Sequence, residues 1–138
     1  MSEKSIRILI ADDHYVVRMG LAALVETEPD LQVVGEAADG MQVVELYKKL
    51  HPDLVLMDLR MPRTDGVTAT RQIREQFPHA RILMLTTYDG DDDIHRALSA
   101  GASGYLLKNS TRESLIPALR AVAAGQRWIP QEVASRLA

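Results

Sequence analysis

Five polar residues stand where apolar runs stop. ILIA ends at the adjacent acids Asp12 and Asp13, DLVLM ends at Asp58, RILMLT ends on Thr86, and GYLL is followed by Lys108. Two neighbouring carboxylates repel one another when both are ionised. Either one of them caps a helix, which needs only a single acid, or the pair holds a cation. Three carboxylates without a cysteine or a histidine pair make a hard, oxygen-rich site suited to Mg²⁺ or Mn²⁺. With a cation bound, one carboxylate can act as a nucleophile towards phosphorus and form an aspartyl phosphate. An ammonium and a hydroxyl beside it would stabilise the transferring group. No Gly-x-x-x-x-Gly-Lys-Ser/Thr loop is present, so the expected donor is another phosphorylated molecule and not a nucleotide held by this chain.

Each residue also has an ordinary reading. Asp12 or Asp13 suits a helix N-cap, Asp58 a loop acid before MPRTDG, Thr86 a β-former, and Lys108 a surface lysine. Their conjunction argues otherwise, provided that the strands bearing them converge.

The elements that must position them follow from periodicity. Short apolar runs alternate with stretches of helical spacing: IRILIA (6–11) precedes a face of Val17, Leu21, Leu24 and Val25, and LQVVGEA (31–37) precedes Val43, Leu46, Tyr47 and Leu50. DLVLM (53–57), RILMLT (81–86) and GYLL (104–107) are each followed by a similar face. Near-continuous apolar strands are those of a parallel sheet covered on both sides, so the expectation is a doubly wound α/β domain of five strands and five helices. In such a sheet ligands bind beyond the carboxyl ends of the strands, where the winding reverses. If the first, third and fourth strands are neighbours, Asp12, Asp13, Asp58, Thr86 and Lys108 gather at one edge. Pro117 leaves two starts open for the last helix: one capped at Thr111 would be bent by the proline, whereas one capped at Ser114 would carry it in the first turn.

Composition narrows the function classes. The 138 residues fit one domain with a sizeable core, and 46% apolar against 25% charged residues is ordinary for a globular protein. A net charge of −3 argues against wholesale nucleic-acid binding, and zero cysteines exclude disulfides and thiolate metal sites. No signal peptide or membrane-spanning run is visible, and the reading is a soluble, cytoplasmic domain without a membrane partner.

ADDH (11–14), DLVLMDLRMPRTDG (53–66), MLTTYD (84–89) and GASGYLLK (101–108) together resemble the receiver domain of bacterial two-component response regulators, with wording nearest the NarL/FixJ-type subfamily. The resemblance implies a flavodoxin-like sheet of order 2-1-3-4-5. It implies that Asp58 accepts a phosphoryl group from a sensor histidine kinase. Asp13 and Asp58 would bind Mg²⁺ directly, Arg60 through its main-chain carbonyl, and Asp12 largely through water. Lys108 would pair with the phosphoryl group, and Thr86 would move towards it so that Tyr105 turns inward, switching an output surface. Arg60, Thr87 and Tyr88 would modulate phosphoryl lifetime. Asn109 stands where many receivers have proline, which puts in question whether the bond after Lys108 is cis.

Other features have milder readings. Asp89, Asp91 and Asp93 alternate like the start of a calcium loop, but position twelve is Ala100, so they are read as acids favouring a helix N-terminus. His14, alone after the acid pair, is read as a helix-face residue. The receiver is placed at 1–124, with 125–138 a tail or the start of a linker in which Trp128 and Ile129 pack back or meet a partner. In NarL/FixJ-type regulators this region leads to a helix-turn-helix domain, so DNA would be reached only through a domain not in this chain, with a phosphorylation-dependent homodimer as a further partner. The alternatives are a stand-alone receiver acting by protein contact, a pseudo-receiver working without phosphate, and a Mg-dependent phosphohydrolase. The phosphohydrolase is disfavoured because such enzymes carry D-x-D at the first strand and this chain has little sequence for a substrate cap.

Overall fold

The computed structural model describes residues 5–86, 91–108, 112–130 and 134, with the side chains of 91 and 92 left out. Strands β1 (Ile6–Ala11), β2 (Leu31–Ala37), β3 (Leu54–Asp58), β4 (Ile82–Thr86) and β5 (Gly104–Leu107) alternate with helices α1 (Tyr15–Val25), α2 (Gly40–Leu50), α3 (Gly66–Gln76), α4 (Asp91–Ser99) and α5 (Arg112–Ala123). The strands form one parallel sheet in the order β2-β1-β3-β4-β5. The doubly wound α/β fold and the order implied by the resemblance are both what the molecule adopts.

Successive strand residues point to opposite faces, so each continuous apolar run feeds two cores. Ile8, Ile10, Leu54, Leu56, Leu83, Leu85 and Leu106 pack with Val25 of α1 and with Leu115, Ile116, Leu119 and Val122 of α5. Leu9, Val55, Met57, Ile82, Met84 and Tyr105 pack on the other side with residues of α2, α3 and α4. Both faces are dry, which is why the strands show no polar alternation.

Among the described residues, two helices start on side-chain caps. Asp39 accepts from the Gln42 N–H (2.8 Å) at α2, and Asp65 accepts from the Thr68 N–H (2.9 Å) at α3. Of the two starts left open for α5, the helix takes the earlier: it runs from Arg112, with Pro117 inside it and not in its first turn. Five buried apolar side chains, Leu115, Ile116, Ala118, Leu119 and Val122, hold it against the sheet. At about 1.5–3 kcal/mol for a fully buried aliphatic side chain, their burial exceeds the ~3 kcal/mol that an internal proline costs.

The chain beyond α5 returns to the sheet. Trp128 forms a parallel bridge with Gly104, donating to the Ser103 carbonyl (3.2 Å) and accepting from the Tyr105 N–H (3.0 Å). Trp128 and Ile129 pack against opposite cores. Among the described residues no helix is long and apolar enough to cross a membrane.

Candidate functional site

The winding reverses between β1 and its neighbours β2 and β3, so the carboxyl ends of β1 and β3 border the crevice. Asp12 and Asp13 follow β1 directly, Asp58 is the last residue of β3, Thr86 the last of β4, and Lys108 follows β5. Asp12, Asp58 and Thr86 are buried. The sheet thereby brings together all five residues singled out by their position after apolar runs.

Lys108 joins the two strand ends. Its ammonium lies 2.5 Å from Asp12 Oδ2 and 3.4 Å from Asp58 Oδ1, with its side chain only 14% exposed. The Lys108 N–H donates to the Thr86 carbonyl (2.7 Å), which fixes the base of that side chain beside β4. Burial disfavours the charged ammonium, but the Asp12 and Asp58 carboxylates outweigh it and raise the Lys108 pKa above its ordinary value.

Asp58 shows the opposite balance. Burial, reinforced by the neighbouring charge of Asp12, pushes its pKa up to about 6, against the attraction of Lys108 and a hydrogen bond from the Arg60 main-chain N–H. A carboxylate held with its charge under-compensated gains from any added cation.

Neither acid is the N-cap of α1, which is His14 without a side-chain cap, but Asp12 supports the turn that precedes it. Asp12 Oδ1 accepts from the His14 N–H two residues on (2.8 Å), a side-chain turn that leads the chain into α1. Its other oxygen, Oδ2, is buried and receives no well-directed hydrogen bond among the described residues; Lys108 neutralises it electrostatically, and lone pairs remain for a further electropositive group. Asp12, Asp13, His14 and Asp58 each offer a ligand atom within 4.8 Å of the others. A buried carboxylate oxygen with lone pairs to spare beside its ammonium partner, in an oxygen-rich cluster, fits a hard divalent cation. His14, set aside in the sequence as a helix-face residue, puts Nδ1 3.3 Å from Asp12 and 3.2 Å from Asp13.

Gly66 makes the close approach of α3 possible. A Cβ there would lie 2.1 Å from the Asp58 carbonyl oxygen, while the Gly66 N–H donates to the Leu59 carbonyl (2.8 Å) and ties the loop down. Strand β3 and the following helix are therefore locked together immediately behind Asp58.

The remaining expected site residues are placed less simply. Tyr105 is already fully buried in β5, so the inward turn that the resemblance implied is not one this conformation has left to make. Arg60 extends to α4, where its guanidinium meets the buried Asp93 at 2.6 Å. Asp93, read from sequence as one of several acids favouring a helix start, is thus the ion-pair partner of a residue two positions from Asp58. Nothing in the sequence joins residues 33 apart. Thr87, Tyr88, Asp89 and Asn109 lie outside the described residues, and with them the modulator expectation for Thr87 and Tyr88 and the geometry of the bond after Lys108.

Comparison with known proteins agrees with this geometry. The family model for the response regulator receiver domain matches residues 8–120. The transcriptional regulatory protein LiaR of Bacillus subtilis (strain 168) is 43% identical over 132 residues, covering 96% of this chain and 63% of LiaR. The chain spans about 60% of the length of the curated relatives it matches. The crystal structure of a LuxR-family two-component response regulator from Aurantimonas sp. SI85-9A1 superposes with a TM-score of 0.92 at 40% identity, covering 97% of this chain and 96% of that one. The isolated receiver domain of RcsB from Salmonella enterica serovar Typhimurium, determined in the presence of the phosphomimetic BeF3⁻, gives 0.86 at 29% identity over 96% of this chain and 99% of that one. The chain belongs to the receiver-domain family of two-component response regulators, among regulators of the NarL and LuxR type.

Proposed function

We propose that Asp58 accepts a phosphoryl group from the phosphohistidine of a sensor histidine kinase, with a divalent cation held by Asp12, Asp13 and Asp58. The observation that carries this reading is the bridge from Lys108 to both Asp12 and Asp58 beside an Asp12 oxygen with lone pairs to offer. An Asp58 oxygen attacks phosphorus, a P–O bond forms, the P–N bond of the donor breaks, and the departing imidazole keeps the electron pair and takes up a proton. A cation held there, Mg²⁺ or Mn²⁺, would supply neutralisation of the charge on the phosphoryl oxygens. Lys108 then exchanges its contact with the Asp58 carboxylate for one with a phosphoryl oxygen. Thr86, buried at the end of β4, would donate to another, and the Arg60 main-chain carbonyl would be a further ligand for the cation.

The consequence is a switch. Movement of Thr86 towards the new charge frees space beside Tyr105 and shifts the surface made by α4, β5 and α5. The receiver occupies 1–124, and 125–138 begins the connection to a DNA-binding helix-turn-helix domain of a transcription regulator, which phosphorylation would control, with a homodimer as the active assembly. Promotion of its own phosphorylation and dephosphorylation is the extent of its catalysis.

Incubating the protein with a small acyl phosphate donor tests the chemistry. Intact mass should show one added phosphoryl group with Mg²⁺ and almost none with excess chelator. Equal incorporation in both would remove the cation from the account.

A further inference from the structure

At the opposite end of the sheet from Asp58, a cavity of about 440 Å³ opens between the end of α3, the turn before β5 and the chain leaving α5. Arg74, Arg81, Arg127 and His79 line it together with Leu98 and Ala102, and no carboxylate is among the described residues that line it. This contrasts with a chain whose net charge is −3. Elsewhere arginines are paired with acids: Arg18 with Glu36, Arg60 with Asp93, Arg63 with Asp39, Arg96 with Asp65, and Arg112 and Arg120 with Glu28. The described arginines whose guanidinium has no carboxylate partner are Arg7, Arg71, Arg74, Arg81 and Arg127, and three of these five meet here.

Two of the three guanidinium groups are held in place by the main chain. Arg74 donates to the Ala80 carbonyl (2.9 Å) and Arg81 to the Ala123 carbonyl, leaving further N–H groups on each fork. Gly101 makes room for the first: its φ of 107° is one that side chains rarely adopt, and a Cβ there would sit 3.0 Å from Arg74 Nε. Concentrating like charges without counter-charges is unfavourable unless an anion relieves it. Guanidinium forks match phosphate geometry, and the volume is that of a small-molecule site.

We propose that this cavity binds a small anion carrying two or more linked phosphoryl groups, as inorganic polyphosphate or as the phosphate chain of a nucleotide. The site does not depend on the phosphoryl-acceptor reading of Asp58. Because its walls come from α3, the α4–β5 turn and Gly125 to Arg127, an occupant ties the segment after α5 to the body of the domain.

Titrating the ¹⁵N-labelled protein, in metal-free buffer, with inorganic tripolyphosphate and separately with adenosine triphosphate tests this. Amide shifts should gather at Gly101, Ser103 and Gly125, saturating in the micromolar range. Arg127→Gln should weaken binding about tenfold, as loss of a charge-assisted contact does, and Arg74→Gln with Arg127→Gln should abolish it. Arg71→Gln, which removes the same charge from α3 outside the cavity, should leave affinity within about twofold. Tighter binding of the triphosphate nucleotide assigns the nucleotide, and tighter binding of tripolyphosphate the inorganic anion; either supports the site. No saturable shifts with either probe, shifts gathered instead at Thr86 and Lys108, or equal weakening by Arg71→Gln would overturn it. Arg127 is exposed, so its variant keeps the fold and the test stands if Arg74→Gln does not.

Discussion

Asp58 is energetically unsatisfied as an anion, and that has a measurable sign. Its pKa is raised from 3.8 to about 6, so the folded state prefers the protonated form. The stability this contributes is fully present below pH ~4 and is lost as pH rises through about 6. Asp58→Asn removes the loss. In chelator at pH 7.5 the variant should be more stable than wild type by about 1–3 kcal/mol, a difference that closes as pH falls towards 4, measured by urea denaturation. Lys108→Ala acts the other way. It strips the cation from two buried carboxylates and should destabilise the metal-free protein by about 2–4 kcal/mol, with part recovered on adding Mg²⁺. These residues were legible in the sequence because each stands directly after an apolar run. The Arg60–Asp93 pair and the basic cavity were not, since they join residues from separate elements that share no local motif.

At the scale of elements, β3 and α3 are bound as one unit by the contact of Gly66 with the Asp58 main chain. A methyl group at 2.1 Å from a carbonyl oxygen cannot be accommodated without moving one element. Gly66→Ala should therefore destabilise by at least about 1–3 kcal/mol and lower the rate of phosphoryl incorporation, as the Asp58 loop is displaced. An alanine variant with unchanged stability and rate would show that α3 is not seated there. Strands were readable almost to the residue because their apolar runs are bounded by charged or turn residues. The start of α5 was not, because the penalty of Pro117 is local whereas the burial that overrides it comes from the sheet. The return of Trp128 to β5 follows from backbone hydrogen bonds that no sequence pattern encodes.

On the scale of the whole molecule, two cores share one sheet, and all five strands contribute to both of them. Neither face can come apart without exposing the sheet that supports the other. Trp128 is the single tryptophan and packs against one of these cores. Its fluorescence and the far-ultraviolet circular dichroism should therefore report the same urea midpoint, and separated midpoints would mean that the segment after α5 unfolds on its own. The parallel, doubly wound architecture was legible from the uninterrupted apolar strands, but the position of β1 between β2 and β3 was supplied by family resemblance and not by periodicity. That position is what turns scattered acids into a site. The most direct measurement is to locate the phosphoryl group: after reaction with an acyl phosphate donor and Mg²⁺, borohydride reduction and peptide mass spectrometry should mark Asp58 alone, and Asp58→Ala should carry no label. Label at another residue in wild type, or undiminished label in the variant, would contradict the assignment of Asp58 as the acceptor.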